Sequence, residues 1–547
     1  MNLDLLIRDG LVVDGTGAPA FVADVGVLGR DIVYVGTLPD GVQAERVIDA
    51  RGKVVSPGFV DIHSHSDFVL ADPRHEDILS CFLRQGITTL VTGNCGFAPA
   101  PAVPAFDPEM RGYTSFLRSR GSRSGWPTMA DYLDTLDDAG VALNVVPLAA
   151  HGALRIATMG FAKREPDAAE LWQMTALLEE SLAAGAFGMS AGLAYAPGMY
   201  ADTAEVTHLA RLVGRTDGLF TCHSRGLSET LVDAVNEVVE IAAHGEVRTQ
   251  FSHLCALGES NWPRIGRAID SLEVARRRGI DVATDCQAYI AGNTTLAALL
   301  PPWAVEGGMD EVAARLDDPR TRTEIRRSIE DERPQWPTPS GGWTDNMIAS
   351  LGYDNILLLT VGSAQYREHE GGSLAQLAER TGRDPFDATM DLLVADRGET
   401  MMLVVGSAGS MRSDAPLREV LGLPYTALET DAIVTGEGTP NRGAFGAYPR
   451  MLGHFVRSEG LLSLEQAIHR MTGLAAGRVG LSTIGRIGPG CAADLVVFDL
   501  DEVGDTTTYS DTTSSPTGIE YVLVNGTVIV DGGGYRPSRA GRVYRRG

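Results

Sequence analysis

From residue 55 to 435 the chain alternates two kinds of segment. Short apolar, β-branched runs are followed by longer stretches with apolar residues every three to four positions. The first pattern suits strands buried on both faces, and the second suits helices that cover them, so a parallel sheet of βα units is expected. Strands are expected near 55–62, 87–92, 142–148, 186–191, 217–222, 248–252, 280–284 and 431–435, with helices such as 168–184 and 230–243 between them. Eight such strands predict a closed (β/α)8 TIM barrel. The spacing breaks once. The stretch between the seventh and eighth strands is far too long for a βα loop. It holds helical patterns (310–330, 373–395) and the apolar runs ILLLTVG and MMLVVG. This predicts an insertion over about 290–430, overhanging the face where the βα loops lie.

The two ends have a different texture. DLLIRDGLVVDGTG and ADVGVLGRDIVYVG near the start match ADLVVFDL and EYVLVNGTVIVDGG near the finish: short β elements punctuated by Gly, Asp and an Asn525-Gly526 hairpin signal. A small β-sandwich domain is therefore expected from residues 1–54 and 486–547, with the barrel occupying 55–485.

Composition removes several chemistries. The net charge is 46 − 71 = −25, which disfavours nucleic acid and anionic membrane surfaces as partners. No stretch suggests a signal peptide or a membrane span. Six cysteines in 547 residues suit reduced thiols in a cytoplasmic protein better than a disulfide scaffold. Only two lysines occur, Lys53 and Lys163. Neither follows a Gly-rich phosphate loop or stands in a Schiff-base context. Homo-oligomerisation is left open.

The expected strand ends carry the chemistry. FVDIHSHSD places His63 and His65 at i and i+2, on one side of the first strand. Cys95 in TTLVTGNCG, His223 in GLFTCHSRG and His253 in TQFSHLCA follow strands two, five and six. Alone, each is ordinary: a lone cysteine usually packs in a core. In a barrel, however, all five converge on one mouth and form a plausible metal-binding set.

The HSH motif, the later strand-end histidines and the terminal β-domain resemble the amidohydrolase superfamily. GNCGFAPAP, GLAYAPG, FSHL and RMLGHFVRSEGLLSLEQAIHRMTGLAA…GRIGPGCAADLVVFD resemble its D-aminoacylase (N-acyl-D-amino-acid deacylase) branch. That branch uses a cysteine where many relatives use a carbamylated lysine, in keeping with the lysine count. The resemblance implies a zinc-dependent hydrolase that cleaves the C–N bond of an N-acyl amino acid or related small amide through metal-activated hydroxide. Cys95, His223 and His253 would hold a tight zinc, and Cys95 would bridge to a second, weaker site at His63 and His65. A thiolate with two imidazoles suits zinc and leaves a position open.

The branch carries an aspartate after strand eight, between glycine-containing neighbours. VTGEGTP offers Glu437 there, expected as the proton carrier, with Asp414 and Asp431 as the nearby alternatives. The substrate pocket also departs from the pattern: Cys255 replaces a lysine, Gln287 replaces a tyrosine in DCQAY, and Asn441-Arg442-Gly443 replaces His-Pro-Arg. Expected substrate contacts are Arg225, Tyr195, His151, Gln287, Tyr289, Arg442 and Cys255. For Arg225 the alternative is an internal salt bridge, and for Tyr195 and His151 it is packing. Two rival functions remain at this stage: a hydantoinase-like cyclic amide or imide hydrolase, and a catalytically silent binding protein on the same scaffold.

Overall fold

The computed structural model describes residues 2–38, 41–336 and 343–547. Strands from both chain ends join one nine-stranded hydrogen-bonded sheet. The seam is Val54–Pro57, antiparallel to Leu495–Phe498. Lys53 ties the same seam, its Nζ lying 3.0 Å from Asp499 and 2.5 Å from Glu520.

The expected first strand, 55–62, is split at Gly58. Val54–Pro57 belongs to the terminal sheet, whereas Phe59–Asp61 starts the parallel one. Gly58 lets the two sheets meet: a Cβ there would lie 2.2 Å from Thr88 Oγ1.

Eight parallel strands follow: β1 (Phe59–Asp61), β2 (Ile87–Thr92), β3 (Asn144–Pro147, continued by Ala149–Ala150), β4 (Gly188–Gly192), β5 (Leu219–His223), β6 (Arg248–Phe251), β7 (Val282–Cys286) and β8 (Thr426–Leu428). Their pairings run in chain order from β1 to β8. The first part of β3 pairs with β2 and its continuation pairs with β4. Nearly every residue in them is buried, as strands covered on both faces must be. Helices lie between, for example Ala168–Ala183. It starts with a capping box in which Asp167 accepts from the Glu170 amide and Glu170 reaches back to the Asp167 amide.

The eighth strand is not at 431–435. It lies earlier, at Thr426–Leu428, in register with Thr284–Cys286 of β7. The apolar run Ala432-Ile433-Val434 is a buried loop, and its hydrophobicity reflects packing rather than strand geometry. That loop meets the end of β1. Ser64 and Ala432 form a parallel bridge, and His63 O accepts from the Asp431 amide at 3.0 Å. The Asp61 carboxylate accepts from the Thr430 amide at 3.1 Å and from its hydroxyl at 2.5 Å.

Between β7 and β8 the inserted segment builds an antiparallel sheet of Ala291–Thr295, Ile356–Thr360 and Met401–Val405, the last in the centre. The helix Ala415–Gly422 within the expected 290–430 insertion instead packs on β7 and β8. It therefore serves the parallel sheet, and the inserted structure ends before it.

The sheet junction generates one test. Gly58→Ala is expected to cost about 1–3 kcal/mol through overpacking, read as a lower denaturant midpoint. Adding Thr88→Ala should recover part of the loss. An unchanged midpoint in Gly58→Ala would contradict the close approach.

Candidate active site

Cys95 occupies a turn that the sequence GNCG makes mandatory. Gly93 and Gly96 both have left-handed φ, and a Cβ on either would strike backbone: Leu148 O at 2.2 Å or Gly192 N at 2.9 Å. Asn94 fixes the turn by donating to Val91 O (3.1 Å) and Ile62 O (3.4 Å) while accepting from the Thr221 hydroxyl (3.3 Å). Cys95 itself is held at φ 52°, a region that L-residues seldom occupy.

Two other residues at this end share that conformation, His253 at φ 38° and Asp431 at φ 46°. The His253 amide donates to Asp285 Oδ1 at 2.6 Å, and the Asp431 amide donates to His63 O. Three left-handed non-glycine residues in one cluster mark a place where the fold over-determines its geometry, a feature of functional sites.

The side chains form two overlapping donor groups that share the Cys95 sulfur. One contains His63, His65, Cys95 and Asp431; the other contains Cys95, His223 and His253. The candidate ligand atoms within each group lie within 4.8 Å of one another. Cys95 Sγ is 3.2 Å from His63 Nε2 and 3.7 Å from both His223 Nδ1 and His253 Nε2. Asp431 Oδ1 is 3.4 Å from His63 Nε2 and 3.2 Å from His65 Nε2. Thiolate, imidazole and carboxylate at such spacing suit zinc, so the residues present fit that metal.

The electrostatics agree. Burial opposes a thiolate at Cys95, but the His63 charge and hydrogen bonds to His223, His253 and His63 hold the thiol well below its usual range. Burial likewise opposes the Asp431 charge, yet its bond to His65 and the charges of His63, His253 and His65 hold it at about 2. Against burial, Asp431 and Cys95 keep His65 up at about 9. A metal entering this set would displace the histidine protons.

The cluster opens into a cavity of about 70 Å³ bounded by His223, His253, Asp431, Gln287 and Asn293, among others. Beyond Tyr195 and Met347, which line both spaces, lies a chamber of about 800 Å³ walled by aromatic residues such as Phe116, Phe161 and Trp343. Tyr195 OH accepts from the Thr294 hydroxyl at 3.0 Å.

The other expected site residues separate into two sets. Gln287, Tyr289 and Cys255 line the smaller cavity with Tyr195. Gln287 Nε2 donates to Asp431 Oδ2 at 3.1 Å. Tyr289 OH donates to Asp505 at 2.8 Å, and burial pushes the Cys255 thiol up, so it stays protonated.

The remaining residues stand apart from that cavity. Arg225 lines the larger chamber, but its guanidinium is engaged by Glu237, Met199 O and Ala201 O; the internal salt bridge is the arrangement found. His151 is fully buried and bonded to Glu205 at 2.8 Å. Arg442 pairs with Asp505 at 3.0 Å and bonds Thr507. Glu437 lies outside both donor groups. Its side chain is 30% exposed and 3.3 Å from Arg120.

The misplaced eighth strand explains Glu437. With β8 ending at Leu428, the first aspartate beyond it is Asp431. The signal was present in TALETD, a short buried strand followed by polar residues, as in FVDIHSH. Asn293, which also lines the smaller cavity, was not among the expected residues, because an asparagine inside a long insertion has no motif around it.

The amidohydrolase family model matches residues 46–284 and 360–530. The N-acyl-D-glutamate deacylase of Alcaligenes xylosoxydans xylosoxydans is 32% identical over 546 residues, covering 100% of this chain and 97% of the relative. The D-aminoacylase of the same organism is 32% identical over 543 residues, covering 99% and 98%. The crystal structure of the Bordetella bronchiseptica N-acyl-D-glutamate deacylase, complexed with zinc and a phosphonate mimic of the tetrahedral intermediate, matches with a TM-score of 0.80. The identity is 30%, and both chains are covered completely.

A shared sulfur has a direct consequence. After dialysis, Cys95→Ala is expected to lose metal from both groups, whereas His63→Ala keeps about one equivalent, because thiolate is the softest anchor. Elemental analysis checks this, and a fully loaded Cys95→Ala would contradict it.

Proposed function

The chain belongs to the amidohydrolase family, and on that footing we propose that it is a zinc-dependent deacylase acting on an N-acyl amino acid or a close derivative. The observation that carries the reading is the Cys95 sulfur shared by two donor groups, one of which includes Asp431. Cys95, His223 and His253 would hold one tight zinc. His63 and His65, with Cys95, would hold a second, weaker one. Bound there, zinc supplies Lewis acidity, polarising an amide carbonyl and lowering the pKa of water to roughly 7.

Asp431 takes the role expected of Glu437. Its carboxylate is ionised and buried, and only its Oδ1 faces the histidines of its donor group, His63 and His65, so its Oδ2 can accept the proton of the attacking water and return it to the leaving nitrogen. Gln287 holds that oxygen in place through the 3.1 Å hydrogen bond. Tyr195 stays a neutral phenol because burial raises its pKa well above the usual value. Its hydroxyl accepts from Thr294, so its own proton is free to bond a carbonyl oxygen. Glu429, buried two residues before Asp431, is pushed well above the carboxylate range by burial and the Asp431 charge. The pair then carries one charge rather than two.

The same reading closes the eight strands into a (β/α)8 barrel through the β1–β8 contacts and treats the terminal sheet as a sandwich-type domain. Six cysteines, all free, suit a reducing cytoplasm. Among the described residues, no helix is long and apolar enough to cross a membrane.

The test is turnover of N-acyl-D- and N-acyl-L-amino acids, their derivatives and cyclic amides by zinc-loaded protein. N-acyl substrates should be cleaved. Asp431→Asn should lose at least ~10²-fold in kcat while retaining zinc at Cys95, His223 and His253, and Glu437→Gln should match wild type. Turnover of cyclic amides alone, or the reverse order of the two variants, would overturn the assignment.

A further inference from the structure

Asn293 lies on the inserted strand Ala291–Thr295, paired with Leu403 of the central strand. It is 7% exposed and lines the small cavity that contains His223, His253 and Asp431. Neither its Nδ2 nor its Oδ1 bonds any protein group. A buried amide is costly to leave unpaired, and native structures rarely do so without a use. This one offers a donor and an acceptor, side by side, to whatever enters the cavity.

The surroundings fix the charge of that visitor. Among the described residues, no lysine or arginine lines the cavity. Arg225 has its donors committed to Glu237 and two carbonyls. Arg442 is held by Asp505 and lies over the rings of Tyr289 and Tyr509. Lys163 lines the other chamber and Lys53 ties the terminal sheet. The polar groups beside Asn293 are neutral, Thr294, Ser407 and Gln287, and the one ionised side chain that is not a histidine is the Asp431 carboxylate. Apart from the zinc that His223 and His253 would hold, whose role in the deacylase reading is to polarise the amide carbonyl, a free carboxylate brought here loses its water and meets no cation, a poor exchange. A carboxamide has no charge to desolvate, and it can give one hydrogen bond to Asn293 Oδ1 and take one from Nδ2.

We infer that Asn293 is a specificity residue that binds a substrate carboxamide, so that the preferred substrates are N-acyl amino-acid amides rather than the free acids. The inference rests on the deacylase reading and narrows it.

Matched pairs test it. Zinc-loaded full-length protein is given N-acetyl-D-leucine and N-acetyl-D-leucinamide, with their L counterparts, and acetate release is followed. The amide of the accepted hand should exceed its acid in kcat/KM by about tenfold or more, mostly through KM. Asn293→Ala, with zinc content unchanged, should lose about tenfold on the amide and bring the two substrates close to parity. Equal or better turnover of the acid by wild type overturns the inference but leaves the deacylase reading standing, as does an amide preference that survives in Asn293→Ala. No acetate from any of the four overturns both.

Discussion

The Cys95 sulfur is the constraint around which this end of the molecule is arranged. Two donor groups overlap only there, and a sulfur can serve both only if its backbone is held where few residues rest. The GNCG turn does this with two glycines that no larger residue could replace and an asparagine that bonds three neighbours. β3 and β4 end against the same turn, since Cβ atoms on Gly93, Gly96 or Gly192 would strike backbone across it. The site and the packing of three strands are thus one problem with one solution. Left-handed backbone at Cys95, His253 and Asp431 represents strain of about 1–2 kcal/mol each by the usual scale, offset by amide bonds to Asp285 and His63 at the latter two.

Much of this was legible in the sequence. Strands buried on both faces are written as apolar runs, so seven of the eight strands stand close to their expected positions, although the first is cut at Gly58. The HSH spacing and the other strand-end donors could be read because each strand delivers its last residues to a common end. β8 defeated the same logic. It has only three residues, and the loop after it is more apolar than the strand, so the run 431–435 drew the assignment and carried the carboxylate on to Glu437. Arg225 and His151 illustrate a different limit. A sequence shows that a guanidinium or imidazole exists, but not that Glu237 or Glu205 has already claimed it. Asn293 was invisible because its meaning lies in what it does not touch.

The pocket departs from the D-aminoacylase pattern in a consistent direction. Cys255 is neutral where the resemblance implies a lysine, Gln287 is an amide where it implies a tyrosine, and Arg442 is neutralised by Asp505. Each change alone reads as drift. Combined, they leave a largely apolar cavity with no lysine or arginine among its described lining residues, beside a retained donor set, and the aromatic chamber beyond Tyr195 gives room for a larger group. The residues around the donor set come both from the loops after β6 and β7, which carry Cys255 and Gln287, and from the inserted strand that carries Asn293.

The shared sulfur is tested most directly by zinc-edge X-ray absorption of the protein loaded with one equivalent of zinc. The account predicts one sulfur scatterer at about 2.3 Å with nitrogen and oxygen donors completing the shell. A shell of nitrogen and oxygen alone would place the tight metal away from Cys95 and contradict it.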